Sequence, residues 1–353
     1  MLQVCSKFVP ALAATHTLLA AAGVLAAGSL LPPSWLAAAA ATAAQPAPEF
    51  PLLVSPELLK QNLGEVKLLD AAWHLGSPGQ GAADFQRERI PGARFFDLDL
   101  IADTSTGLQS MLPGTAAFDA AADALRVTPA SVVVVYDHGG LLTAPRAWWT
   151  WHVLGHRRVA VLDGGLAGWK AARGEVDTSP VSAQLVAAPA DSMRRAPLRR
   201  PRYRAHLRAG EVRDWRAMLA NVESREEQVV DARPSAKYRG DMPEGGGLRA
   251  GHIPGALNLP VQGLLRGGKF RSPEELRAVF GSADVDLSRP LVAYCATGIM
   301  ASAVVLAARL AAPDGGGAAT AVYDGSWQEW GGLAGAPVAT CPPPFLADPL
   351  LLV

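Results

Sequence analysis

The chain has 353 residues; half are hydrophobic, only 18% are charged, and 32 basic side chains balance 32 acidic ones. Such a composition excludes a disordered chain, and its neutral total excludes a general electrostatic grip on nucleic acid, which needs a basic surface. Three scattered cysteines, Cys5, Cys295 and Cys341, are too few for a disulfide framework or a four-ligand zinc site, so any cysteine chemistry runs on one thiol.

Residues 1–48 differ from the rest. No acid precedes Glu49, no arginine precedes Arg87, and Lys7 is the only cation. Leu18 to Leu31 is a low-polarity run of 14 residues, short of the ~20 that a membrane span needs. An alanine-rich patch follows, and Pro46 and Pro48 stop any helix. We read the segment as a cleaved targeting sequence. The missing acids suit an organelle, mitochondrion or plastid, while the short apolar core also suits a secretory route; a retained tail would leave the chain in the cytoplasm. The mature chain is expected to have no membrane segment.

Ser55-Pro56-Glu57 then opens a helix, with an N-cap serine and a proline at the first helical position. Val66 to Asp70 reads as a strand, Ile90-Pro91-Gly92-Ala93 as a turn, and Val132 to Tyr136 as a strand buried on both faces. Leu162-Asp163-Gly164-Gly165 with Trp169 closes this first unit. After a proline- and arginine-bearing stretch (Arg194, Arg195, Arg199, Arg200, Arg202, Arg204), read as a solvated linker, the order repeats. Val229-Val230-Asp231 matches Leu68 to Asp70, and Ile253-Pro254-Gly255-Ala256 matches Ile90 to Ala93. Ser272-Pro273-Glu274-Glu275 has the form of a capping box, Leu291 to Tyr294 is a strand, and Tyr323-Asp324-Gly325 precedes Trp327 and Trp330. Alternating strands and helices predict two α/β domains, each a mainly parallel sheet flanked by helices. Their expected limits are 50–175 and 207–337, with the linker at 176–206 and a tail at 338–353.

Ligands of open parallel sheets bind beyond the carboxyl ends of the strands. In the second unit the strand Leu291 to Tyr294 runs into Cys295-Ala296-Thr297-Gly298-Ile299-Met300, and a helix is expected from Ala301 to Leu310. Free main-chain N–H groups and the helix dipole at that place favour an anion, and such placement can bring a cysteine thiol from about 8.5 down to roughly 3.5–7.5. Gly298 allows the tight turn that would cradle the sulfur. Cys295 is therefore the candidate nucleophile, and in that role it must be reachable. A structural cysteine is the competing use of the residue type. A phosphatase loop would need an arginine six positions on, where Ala301 stands. The equivalent place in the first unit is Asp137, so that unit is expected to support rather than react.

These motifs resemble those of the tandem-domain rhodanese family, the thiosulfate and 3-mercaptopyruvate sulfurtransferases. The marks are Asp70-Ala71-Ala72-Trp73-His74, Ile90 to Ala93 with Phe95-Phe96-Asp97, Ala144-Pro145-Arg146 with Trp148-Trp149, Gly251-His252-Ile253-Pro254-Gly255-Ala256, Ser272 to Arg277, the cysteine loop, and Tyr323 to Trp327. The resemblance implies two rhodanese-like domains and a persulfide on Cys295, carried by a loop of Ala296, Thr297, Gly298, Ile299 and Met300. Thiol, thioredoxin or cyanide would take the sulfur, with no metal and no cofactor. The loop is uncharged and Thr297 matches the family's hydroxyl position, which implies 3-mercaptopyruvate as donor and pyruvate as product. Thiosulfate is the alternative, and a weakly catalytic sulfur-carrier or protein-binding module a second. Asp99 and Thr297 match a family proton relay whose histidine is here Ser110. Lys237 stands where the family has arginine; Arg249 and Arg239 are the other candidate substrate cations, and His74 is a candidate for the site or for packing between domains. His252, Arg233 and the tryptophans read as structural.

Overall fold

The computed structural model describes residues 50–181, 203–312 and 317–341. The expected targeting segment, Cys5 and the linker arginines other than Arg204 lie outside the described residues. Within the first unit the elements are β1 (Leu53–Val54), α1 (Pro56–Asn62), β2 (Val66–Asp70), α2 (Gln80–Arg87), β3 (Arg94–Phe95), α3 (Leu98–Ile101), α4 (Thr115–Ala124), β4 (Val132–Tyr136), α5 (Ala144–Val153), β5 (Val159–Leu162) and α6 (Gly165–Ala171). The second has β6 (Val212–Arg213), α7 (Trp215–Ser224), β7 (Gln228–Asp231), α8 (Ser235–Arg239), β8 (Leu257–Asn258), β9 (Leu265–Arg266), β10 (Lys269–Phe270), α9 (Pro273–Ser282), β11 (Leu291–Tyr294), α10 (Ile299–Ala311), β12 (Thr320–Tyr323) and α11 (Ser326–Trp330).

Each domain has one five-stranded parallel sheet, and β9 and β10 pair as a separate antiparallel ribbon. The orders of the two parallel sheets, β1-β5-β4-β2-β3 and β6-β12-β11-β7-β8, are the same order repeated. The register repeats too: Asp70 pairs with Tyr136, and Asp231 with Tyr294. Every residue of β4, β5, β7, β11 and β12 is buried, as strands covered on both faces must be. Local signals are realised in detail. Ser55 Oγ accepts the Leu58 N–H at 3.2 Å. Ser272 and Glu275 form the reciprocal box, at 3.2 and 3.1 Å. Gly92 and Gly255 take left-handed φ values of 79° and 83° in the two matching turns.

Each domain has a core on one face of its sheet, and a third cluster is shared between them. Helices α5 and α10 pack together, so that Trp148, Trp149 and Ala147 join Val304, Val305 and Ala308 in a single apolar cluster. Its rim is polar: Arg309 donates to His152 Nε2 at 2.8 Å and to Glu211 Oε2 at 2.5 Å, with its guanidinium carbon 5.5 Å from the Trp148 ring. The end of the expected linker is not solvated. Tyr203 is buried in the first domain, where its hydroxyl meets His156 Nδ1 at 3.0 Å, and the Ala205 N–H donates to Asp119 at 2.6 Å. A lone aromatic among arginines found a pocket that composition could not announce.

Candidate active site

Cys295 follows β11 directly, and its backbone is gripped from β12 and α11. Its N–H donates to Ser326 Oγ at 3.2 Å, and that hydroxyl donates to the Tyr323 carbonyl at 2.9 Å. The carbonyls of Cys295 and Ala296 accept the Trp327 and Gln328 N–H groups, each at 3.0 Å. The helix begins at Ile299 rather than Ala301, because Gly298, with φ 83°, already makes the left-handed turn that starts it. Ile299 and Met300, expected in the loop, form the first helical turn. The N–H groups of Ala296, Thr297 and Gly298 make no hydrogen bond among the described residues. Those of Ile299 and Met300 belong to a first turn, which leaves its donors free. Unpaired main-chain donors thus follow the thiol in the chain.

The first domain shows what such a loop does with an anion. At the matching position Asp137 Oδ1 accepts the Leu141 N–H at 3.0 Å, and Oδ2 accepts those of Thr143 and Ala144 at 2.8 Å each. The loop from Asp137 to Ala144 is the longer of the two, and only there do main-chain donors turn back onto the residue after the strand.

Two expectations for Cys295 need correction. The thiol is fully buried instead of reachable, and Sγ makes no hydrogen bond among the described residues. A segment of the first domain is bonded to the residues that grip the loop. Gln109 and Gln328 exchange two hydrogen bonds, at 3.0 and 2.9 Å, and the Leu112 N–H donates to Asp324 Oδ2 at 2.6 Å. Under this strap lies a cavity of about 10 Å³, lined by residues that include Ser110, Met111, Arg146 and Ile299, roughly the volume of one water.

The expected relay is not assembled. Asp99 is exposed and accepts the Trp73 indole N–H at 2.6 Å. Ser110 Oγ is buried without a partner, and Thr297, also buried, makes no hydrogen bond to either. The expected substrate cations are engaged elsewhere. Arg249 spends its guanidinium on the carbonyls of Gly331, Ala336, Trp330 and Leu333, at 2.5 to 3.0 Å, which makes it a structural clamp rather than a substrate ligand. Lys237 pairs with Glu244 at 3.0 Å and also reaches the Pro243 carbonyl. Arg239 pairs with Asp241 at 2.6 Å. His74 binds Asp84 at 2.7 Å on α2, with no bond to the cysteine loop. Arg233 forks onto the fully buried Asp231 and reaches the Gly251 carbonyl, and His252 stacks on Tyr238 at 3.8 Å; both are structural. Burial raises Asp70, and the His138 imidazole bonded to it at 2.7 Å only partly offsets that.

Sequence reasoning missed Arg146 and Asp324. Arg146 stands at the start of α5 and Asp324 just after β12, and their Nη1 and Oδ1 atoms lie 2.7 Å apart, both side chains buried. Their motifs, Ala144-Pro145-Arg146 and Tyr323-Asp324-Gly325, were visible, but nothing in either told of the other. Among the described residues no group of three or more His, Cys, Asp or Glu could hold a metal ion, and no helix is long and apolar enough to cross a membrane.

The sequence matches the Rhodanese-like domain family twice, over residues 55–172 and 214–333. Human 3-mercaptopyruvate sulfurtransferase is 40% identical over 271 residues, 75% of this chain and 84% of that protein. Mouse thiosulfate sulfurtransferase is 37% identical over the same shares. The crystal structure of SseA from Escherichia coli, described as a 3-mercaptopyruvate sulfotransferase with the rhodanese fold, superposes with a TM-score of 0.65 at 32% identity, over 79% of this chain and 99% of SseA.

Proposed function

The chain belongs to the rhodanese family of sulfurtransferases, and from that premise we propose that Cys295 carries a sulfur atom from 3-mercaptopyruvate to an acceptor. The observation that carries the reading is the placement of the thiol, between the end of β11 and the unpaired N–H groups of Ala296, Thr297 and Gly298 that lead into α10. The Cys295 thiolate attacks the donor's sulfur. The new S–S bond forms as the donor's C–S bond breaks, giving Cys295–S–SH and the enolate of pyruvate, which takes a proton. A thiol, reduced thioredoxin or cyanide then attacks the outer sulfur and returns the thiolate. This is nucleophilic catalysis in two steps, with main-chain donors offsetting the sulfur anion.

The donor follows from charge. The loop residues Ala296 to Met300 are uncharged, and Arg146, Lys237, Arg239 and Arg249 are each bound to carboxylates or carbonyls of the protein itself. A dianion such as thiosulfate would need more uncommitted positive charge than a monoanionic keto acid. Because the thiol is buried, its surroundings must move for a donor to reach it.

Incubation with 3-mercaptopyruvate should add about 32 Da, one sulfur atom, to Cys295. Thiol acceptors should remove it, and kcat/KM should exceed that for thiosulfate. A higher value for thiosulfate overturns the donor; no adduct overturns the reaction. Cys295→Ser should abolish transfer while the protein stays folded, since serine is near-isosteric but provides no anion near neutral pH.

A further inference from the structure

We propose that Arg146, on the first domain, is a positioning residue that sets the shape of the Cys295 loop on the second; the inference rests on the sulfur-transfer reading above. The loop's own sequence offers no arginine, and Ala301 stands where one would clamp an oxyanion. The fold brings one in from the other domain instead. Arg146 Nη1 lies 2.7 Å from Asp324 Oδ1, Nη2 donates to the Ser110 carbonyl, and the guanidinium carbon sits 4.6 Å from the Trp149 ring centroid.

This guanidinium is in direct steric register with the loop. A Cβ placed on Gly298 would stand 3.1 Å from Arg146 Nη1 and 2.8 Å from the Asp324 carbonyl oxygen. Asp324 is thus held on both sides: its carboxylate by Arg146 and by the Leu112 N–H, its backbone against Gly298. From Asp324 the chain passes into Ser326, Trp327 and Gln328, whose groups hold the Cys295 N–H and the Cys295 and Ala296 carbonyls. Arg146 also fixes the strap through Ser110. One buried cation therefore ties together the two segments that must be in place for the sulfur to be loaded, without itself being free to hold a donor.

A residue acting this way changes the rate of sulfur loading for every donor alike. Arg146→Met and Arg146→Lys are compared with wild type for folded fraction, for kcat and KM with 3-mercaptopyruvate and thiosulfate, and for single-turnover loading of Cys295. Lysine keeps the charge but loses the simultaneous reach to Asp324 and Ser110. Expected is a loss in kcat on the order of 10²-fold per folded molecule for methionine and a smaller loss for lysine. The ratio of kcat/KM between the two donors should be unchanged, and Arg146→Met/Asp324→Asn should be no slower than Arg146→Met alone, because the pair acts as one unit. If methionine prevents folding, the lysine variant decides. Wild-type kcat in either folded variant overturns the proposal, and so does a changed donor ratio, which would mean that Arg146 touches the donor. Failure of the wild-type enzyme to load sulfur instead overturns the reading beneath it.

Discussion

Gly298 and Gly255 form a matched pair for testing whether the cysteine loop is held by its neighbours. Both have φ near 83°. A side chain at either must enter the left-handed region at a cost of roughly 1–2 kcal/mol. Their surroundings differ: a Cβ on Gly255 meets nothing within 4 Å, whereas on Gly298 it meets the Asp324 carbonyl oxygen at 2.8 Å and Arg146 Nη1 at 3.1 Å. Neither neighbour is a flexible chain end, since one is backbone and the other is pinned in a buried ion pair. Overpacking of that kind adds about 1–3 kcal/mol. Gly255→Ala should therefore lose ~1–2 kcal/mol in urea unfolding with sulfur loading per folded molecule unchanged, while Gly298→Ala loses roughly 2–5 kcal/mol and most of its loading rate. Equal losses in the two variants, with loading intact in both, would refute the claim that Asp324 and Arg146 define the loop.

Two further outcomes follow from buried groups. His156 is bonded to Tyr203 and to the Ser131 carbonyl, and burial brings its imidazole down to about 4. A histidine depressed in the folded state contributes stability above its unfolded value of ~6.5 and loses it as pH falls towards 4, here about 3 kcal/mol; in His156→Asn that part of the pH dependence of urea unfolding should vanish, and an unchanged slope would contradict it. Arg249→Met should cost at least ~3 kcal/mol, because four carbonyls lose a charged donor, yet leave KM for the donor unchanged; a raised KM in folded protein would return Arg249 to the substrate site.

Much of the architecture was legible because it is written locally. The run Val132 to Val135 states a doubly buried strand, and Ser272-Pro273-Glu274-Glu275 states a helix start; both are realised as read. The repeat carried the topology, since matching motifs in matching order predict two copies of one sheet. Cys295 could be picked out because its signal, strand then cysteine then glycine then helix, is contiguous. The rest depended on contacts between distant residues. Arg146 and Asp324 meet only once the two domains pack, and the burial of Cys295 likewise appears only in the folded chain. The cations Lys237, Arg239 and Arg249 were read by charge alone, but a nearby carboxylate or a ring of carbonyls decides what a cation is free to do. Gly298 also moved the helix start by two residues, since the turn itself ends the loop.

The apolar cluster joining α5 to α10 constrains how this chain can be divided. Trp148 and Trp149 on one side and Val304 and Val305 on the other are each other's interior, so neither half possesses a finished exterior along that face. A half without a nucleophile would ordinarily be dispensable baggage. Here it supplies one face of a shared apolar cluster, and trimming the protein to the half that carries Cys295 would leave that face bare.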